Sequence, residues 1–180
     1  SVSEKHDDAK LIQKLFNNST YFRVYTGHDL IGSELCSSIK NVYAIASGML
    51  EGLGYGDNAR AGLISRALVE LRRIVVAMGG KEETIYGLTG VGDLVVTTTS
   101  HHSRNYQAGV KLATGKNLEE TIASMAMVVE GARTAEAIYN ASKKMNLETP
   151  IIDAVYRVIY EKEDVNKAVL ELMSRSLKDE

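Results

Sequence analysis

Residues 30–54, LIGSELCSSIKNVYAIASGMLEGLG, run for twenty-five residues without a proline and with only three charged side chains, Glu34, Lys40 and Glu51. The run is apolar on most faces, so as a helix it has no side to leave in water and has to be surrounded by other elements. That predicts a central buried helix, with the rest of the chain arranged as its cover. The only proline in the chain is Pro150, and Ala, Leu, Ile, Val, Glu and Lys are plentiful. Few breakers and many helix formers favour an all-α, multi-helix bundle over a sheet-rich fold.

The covering helices can be read from their ends. Asp57 is expected to cap a helix through ARAGLISRALVELRRIVVAM that stops at Gly79-Gly80. NLEE, residues 117–120, has the form of a capping box with Asn117 as N-cap and Glu120 three residues on. Another helix is expected through EGARTAEAIYNASKKM. Thr149-Pro150 places proline at a first helical position before IIDAVYRVIYE, and Asp164 is placed to cap VNKAVLELM. The N-terminal part reads differently. DDAKLIQKLF, residues 7–16, has helical apolar spacing, and YFRVYT, residues 21–26, reads as a short strand. One helix and one strand cannot bury a core, so residues 1–28 are expected to be the αβ tail of a preceding domain, and residues 29–180 the helical domain.

Bulk properties narrow the partners. At 180 residues and 44% apolar, the chain has room for one substantial core. A formal net charge of −2 provides no general attraction for nucleic acid or an anionic membrane. Cys36 is the only cysteine, which excludes an intrachain disulfide and a thiolate cluster and fits a reducing compartment. No apolar run approaches the ~20 residues that span a bilayer, and the N-terminus lacks the secretory pattern.

Chemistry is expected around Lys40 and the segment GLTGVGDLVVTTTSHHSRN, residues 87–105. Lys40 is either a lysine whose stem lies on the protein and whose ammonium stays wet, or one held in a cleft where desolvation eases proton transfer. The second reading needs a nearby carboxylate, and Asp93 is available. Asp93 is equally a candidate helix N-cap after Gly92. Arg104 is either a surface charge or a fork for phosphate oxygens, with Ser103 and Asn105 as neutral donors beside it. Two tempting motifs are set aside. Gly52, Gly54 and Gly56 are spaced G-x-G-x-G and follow a helix, unlike a dinucleotide fingerprint. His101-His102 is adjacent and lacks the further convergent ligands that a metal needs.

Taken together, FRVYTGHDLIGSELCSSIKNVYAIASGMLEGLGYGDNARAGLISRALVE, GLTGVGDLVVTTTSHHSRNYQAG, VVEGARTAEAIY and TPIIDAVYRVIYE resemble the bacterial-type NAD(P)-dependent glycerol-3-phosphate dehydrogenase family, in its order and spacing. The resemblance implies a helical substrate domain like the C-terminal domain of 6-phosphogluconate dehydrogenase, and an upstream dinucleotide-binding Rossmann domain that this chain lacks. It also implies NAD or NADP as cofactor, held mainly by that other domain, and dihydroxyacetone phosphate and sn-glycerol 3-phosphate as substrates. A cytoplasmic role in glycerophospholipid synthesis and a possible homodimer go with it. Position by position, Lys40 in IKNV corresponds to the family's catalytic lysine, and Asp93 in VGDL to its substrate-binding aspartate. Ser103, Arg104 and Asn105 in SRN correspond to groups that hold glycerol phosphate. Arg104, with Val128 and Glu130 in VVEG, corresponds to the cofactor contacts. Asn41 and Thr97 are neighbouring candidates. A non-catalytic helical binding or dimerisation module, and a 2-hydroxyacid-type dehydrogenase domain, are the competing readings.

Overall fold

The structure is a computed structural model and describes residues 1–18, 20–125 and 128–175. Those residues form ten α-helices and a π-helical turn. They are α1 (His6–Phe16), α2 (Leu30–Gly52), α3 (Asp57–Ala77), α4 (Glu82–Ile85), the π turn Leu88–Gly92, α5 (Asp93–Thr99), α6 (Arg104–Ala113), α7 (Leu118–Met125), α8 (Glu130–Lys144), α9 (Pro150–Tyr160) and α10 (Val165–Met173). The end of the 29–180 span, residues 176–180, lies outside the described residues.

The expected central helix is α2. It packs against α3, α5, α6, α8 and α9, and every residue from Val42 to Leu50 is buried. Asp29 starts it by accepting the Gly32 N–H at 2.9 Å, while its other carboxylate oxygen accepts from Lys81 N at 2.8 Å and Thr84 Oγ1 at 2.6 Å. One N-cap therefore also fixes the loop that leads to α4.

The α2–α6 contact sets the geometry of the site. A Cβ on Gly48 would lie 2.0 Å from the Tyr106 carbonyl oxygen, and one on Gly109 would lie 2.0 Å from that of Ile45. Only glycine allows backbones to meet that closely. The contacts advance together along both helices, Asn41 with Asn105, Ile45 with Gly109 and Gly52 with Ala113, so α2 and α6 run parallel. Hence the first turn of α6 lies beside the Lys40–Asn41 turn of α2.

Most of the expected helix ends are present. Asn117 and Glu120 exchange reciprocal bonds of 2.9 Å, the capping box read from NLEE. Asp164 accepts Lys167 N at 2.9 Å, and Pro150 opens α9. Two expectations need correction. Gly56, not Asp57, is the N-cap of α3; Asp57 is the first helical residue and its carboxylate pairs with Arg60 instead. YFRVYT does not form a strand. Among the described residues the N-terminal part carries only isolated bridges, Val2 with Gly27 and Asn18 with Phe22. A strand needs a neighbour to take its backbone N–H and C=O groups, and here Gln13 Nε2 donates to Val24 O at 2.7 Å and Asn17 Oδ1 accepts Val24 N at 3.0 Å. Helix α1 is as expected, but of its residues only Ala9 is buried, and Leu11, Leu15 and Phe16 remain exposed.

Candidate functional site

A cleft of about 350 Å³ opens between the first turns of α6 and α8, the Asn41 turn of α2 and the end of α5. Asn41, Thr97, Ser103, Arg104, Asn105 and Glu130 line it, together with Val96, Ser100 and His102.

Lys40 and Asp93 form an ion pair beside this cleft, with side chains 18% and 31% exposed. Lys40 is thus not the wet surface lysine that its type would allow, and Asp93 is not a cap. Gly92 is the N-cap of α5, and Asp93 is its first residue with its carboxylate turned to the amine. The π turn delivers it there. A Cβ on Gly90 would stand 2.0 Å from the Ile85 carbonyl oxygen, so the glycine serves close backbone contact with the end of α4. Thr97, one turn along α5, donates its hydroxyl to the Asp93 carbonyl at 2.6 Å and lies 3.3 Å from the Asp93 carboxylate.

At the other wall, Ser103 caps α6 by accepting Tyr106 N at 3.3 Å. Arg104 is half-exposed and reaches Glu130 at 3.3 Å. Asn105 is buried; its Nδ2 donates to Asn41 Oδ1 and its Oδ1 accepts Gly131 N–H, both at 2.9 Å. Behind α6, Arg60 donates to the Tyr106 hydroxyl at 3.1 Å and to Glu51 at 3.2 Å, anchoring the residue next to Asn105. Val128 stands apart. It is 56% exposed and precedes α8 outside the cleft lining.

The fold therefore gathers Asn41, Thr97, Ser103, Arg104, Asn105 and Glu130, drawn from four helices, around one opening, with the Lys40–Asp93 pair next to it. Sequence reasoning passed over Val96, Ser100 and His102 as lining residues. His102 stands one residue before SRN, and that proximity is the sequence signal for its place in the lining. Among the described residues no three His, Cys, Asp or Glu side chains converge as a metal site would require. No described helix is long and apolar enough to cross a membrane.

A charged amine tied to a carboxylate can exchange a proton with a bound oxygen, and a half-exposed guanidinium nearby can hold an anion. The family model for the C-terminus of NAD-dependent glycerol-3-phosphate dehydrogenase matches residues 29–170. The chain belongs to this family. Glycerol-3-phosphate dehydrogenase [NAD(P)+] of Limosilactobacillus reuteri is 53% identical over 172 residues, covering 96% of this chain and 51% of that protein. The Geobacillus kaustophilus protein of the same name is 49% identical over 178 residues, covering 99% and 52%. The crystal structure of glycerol-3-phosphate dehydrogenase from Coxiella burnetii superposes with a TM-score of 0.92 at 39% identity, over 97% of this chain and 53% of that one. The chain thus spans about half the length of the relatives it matches.

The paired Arg104 and Glu130 both line the cleft and keep their charged ends within reach of solvent. The Arg104 guanidinium, 48% exposed, suits a phosphate, and the Glu130 carboxylate, 59% exposed, can accept from an amide or a ribose hydroxyl.

Proposed function

We propose that this domain binds dihydroxyacetone phosphate and sn-glycerol 3-phosphate and provides the acid–base lysine for their interconversion with NAD(P)H. The observation that carries the reading is the Lys40–Asp93 ion pair set beside a cleft that holds Arg104. A helical module built only for packing or dimerisation would have no use for a partly buried lysine paired in this way.

Bound NADH or NADPH supplies the hydride for the reduction. Lys40 supplies the proton, because an ammonium next to the substrate ketone stabilises the developing alkoxide and protonates it, while in the oxidative direction the neutral amine takes that proton back. Asp93 holds the amine in place and is available to a substrate hydroxyl. Thr97 stands one turn along, with its hydroxyl on the Asp93 backbone carbonyl. Arg104 holds the phosphate, with Ser103 and Asn105 beside it, so that binding energy from the unreactive end fixes the carbonyl at the reactive end. Arg104, Val128 and Glu130 meet the cofactor from this side, and a dinucleotide-binding domain of the full-length enzyme holds most of it. The exposed Leu11, Leu15, Phe16 and Phe22 provide an apolar surface for that domain. Such an enzyme would work in the cytoplasm and supply the backbone of glycerophospholipids. The phosphate-binding set at Ser103, Arg104 and Asn105 favours this substrate over a simple 2-hydroxy acid.

The test is NADH oxidation with dihydroxyacetone phosphate, by the full-length enzyme carrying this domain and by the 180 residues alone. The full-length enzyme is expected to turn over and the domain alone to show little or no activity. Normal turnover by the domain alone would refute the division of labour, and no turnover by the full-length enzyme would refute the substrate.

A further inference from the structure

Besides α5 with Asp93, three helices each deliver a charged residue of the site, and each does so through a pair of consecutive residues. The first member of each pair is charged: Lys40 on α2, Arg104 on α6 and Glu130 on α8. The second member enters one shared node: Asn41, Asn105 and Gly131. Asn105 is its centre, only 7% exposed. Its Oδ1 takes the N–H of Gly131, one of the first-turn amides of α8 that has no partner within the helix. Val129, the N-cap of α8, offers no side-chain bond, so Asn105 acts as that helix's cap from another helix. Its Nδ2 holds Asn41, which leaves one amide hydrogen for anything else. Gly131 is held as tightly. A Cβ there would come within 2.6 Å of the Asn41 carbonyl oxygen, 2.8 Å of Ile45 Cδ1 and 2.9 Å of Asn105 Oδ1.

We propose that Asn105 is a positioning residue, whose amide locks the middle turn of α2 to the first turns of α6 and α8 so that Lys40, Arg104 and Glu130 address one bound substrate and cofactor in fixed register. This rests on the dehydrogenase reading above and deepens it. Any direct contact of Asn105 with substrate is made by its single remaining hydrogen, while the rest of the amide serves the frame. Both a donor and an acceptor are used at once, which a hydroxyl or a carboxylate does not reproduce in the same geometry. The consequence is that Asn105 acts on the reacting end of the substrate, through the α2 turn that carries Lys40, as well as on the phosphate end.

The experiment compares Asn105→Ala, Gly131→Ala and the double variant in the full-length enzyme, with kcat, KM for dihydroxyacetone phosphate and melting temperature measured for each. The amide exchange rate of Gly131 is followed in parallel. A displacement of catalytic groups by about 1 Å costs up to ~100-fold, so kcat is expected to fall roughly 10- to 100-fold in either single variant, with the smaller change in KM. Because both substitutions break the same node, the double variant is expected to be little worse than the worse single one. In the wild-type protein the Gly131 amide is expected to be strongly protected, and Asn105→Ala to release it. A rise in KM alone at unchanged kcat overturns the proposal, since it marks Asn105 as a phosphate ligand only. Multiplying penalties in the double variant also overturn it. So does a Gly131 amide that exchanges freely in the wild type, a result that needs no variant to fold. Absence of wild-type turnover would count against the dehydrogenase reading, whereas the exchange measurement reads the node itself.

Discussion

Glu70 is the most heavily buried carboxylate among the described residues, and its replacement by glutamine makes a sharp test of the energetics. It stands on α3 with 2% of its surface exposed and accepts the backbone N–H groups of Ile151 at 2.9 Å and Ile152 at 3.1 Å. Those are first-turn amides of α9, which Pro150 opens, so a side chain from α3 caps α9. Burial pushes the Glu70 carboxyl up to about 7; the two N–H bonds pull the other way and do not prevail. The folded state therefore holds this proton more tightly than the unfolded chain, where the ordinary value is 4.5. The associated stability is fully present below pH 4.5 and is lost as pH rises through 7. At about 1.4 kcal/mol for each pH unit, the loss across that interval is about 3 kcal/mol. The buried Tyr43 and Cys36 stay out of the window. Burial holds the Tyr43 phenol well above its usual range and the Cys36 thiol up at about 11. Carboxylates held low by cationic partners, Glu82 by Arg72 and Glu163 by Arg157, act in the opposite sense at lower pH, equally in both proteins. Urea unfolding of the wild type and Glu70→Gln at several pH values between 4.5 and 8 isolates Glu70 as the difference between two curves. The wild type is expected to lose about 3 kcal/mol relative to glutamine as pH rises. Glutamine should start lower at acidic pH, because its amide NH₂ faces one of the two backbone donors at a cost of about 1–3 kcal/mol. Parallel curves would show that Glu70 does not titrate in that interval, and the reasoning from burial would be wrong.

Other outcomes follow from the site and from the helix contact beneath it. In the full-length enzyme Lys40→Met is expected to lower kcat by about 10²- to 10⁴-fold, as for loss of a general acid–base, with an unchanged melting temperature; near-wild-type turnover would refute its role. Arg104→Ala removes a charge-assisted contact worth about 1.5–3 kcal/mol, so KM for dihydroxyacetone phosphate should rise roughly 10- to 100-fold, and an unchanged KM would contradict phosphate binding there. Gly48→Ala forces α2 away from the Tyr106 carbonyl and is expected to cost at least about 1–3 kcal/mol in denaturant unfolding; a neutral result would mean that the two helices separate freely.

Helix content, the order of the helices and several of their ends follow from local rules, which is why they were legible beforehand. The capping box at Asn117 and Glu120, the cap at Asp164 and the proline start at Pro150 depend on residues within one turn of each other. The all-round apolar character of residues 30–54 was enough to place α2 at the centre, since such a helix is stable only when covered. Where a residue had two local options, the sequence could not choose. Asp93 could cap a helix or face an amine, while Asp57, expected as a cap, is the first residue of α3 and pairs with Arg60. YFRVYT had the composition of a strand, but strand formation depends on a neighbouring edge that the chain itself does not specify locally.

Family resemblance pointed to Lys40, Asp93, Ser103, Arg104, Asn105, Val128 and Glu130, residue by residue. Tertiary structure alone decided that most of them meet. The Lys40–Asp93 pair joins positions 53 apart, and the Asn41–Asn105 bond positions 64 apart. The separation of those groups depends on backbone contact at Gly48 and Gly109 and on the π turn at Gly90, where the absence of a side chain matters only because another strand of backbone lies 2.0 Å from where it would be. A glycine in a sequence says that close approach is allowed. Which helix makes the approach, and which charged groups it thereby brings together, is settled only when the core packs.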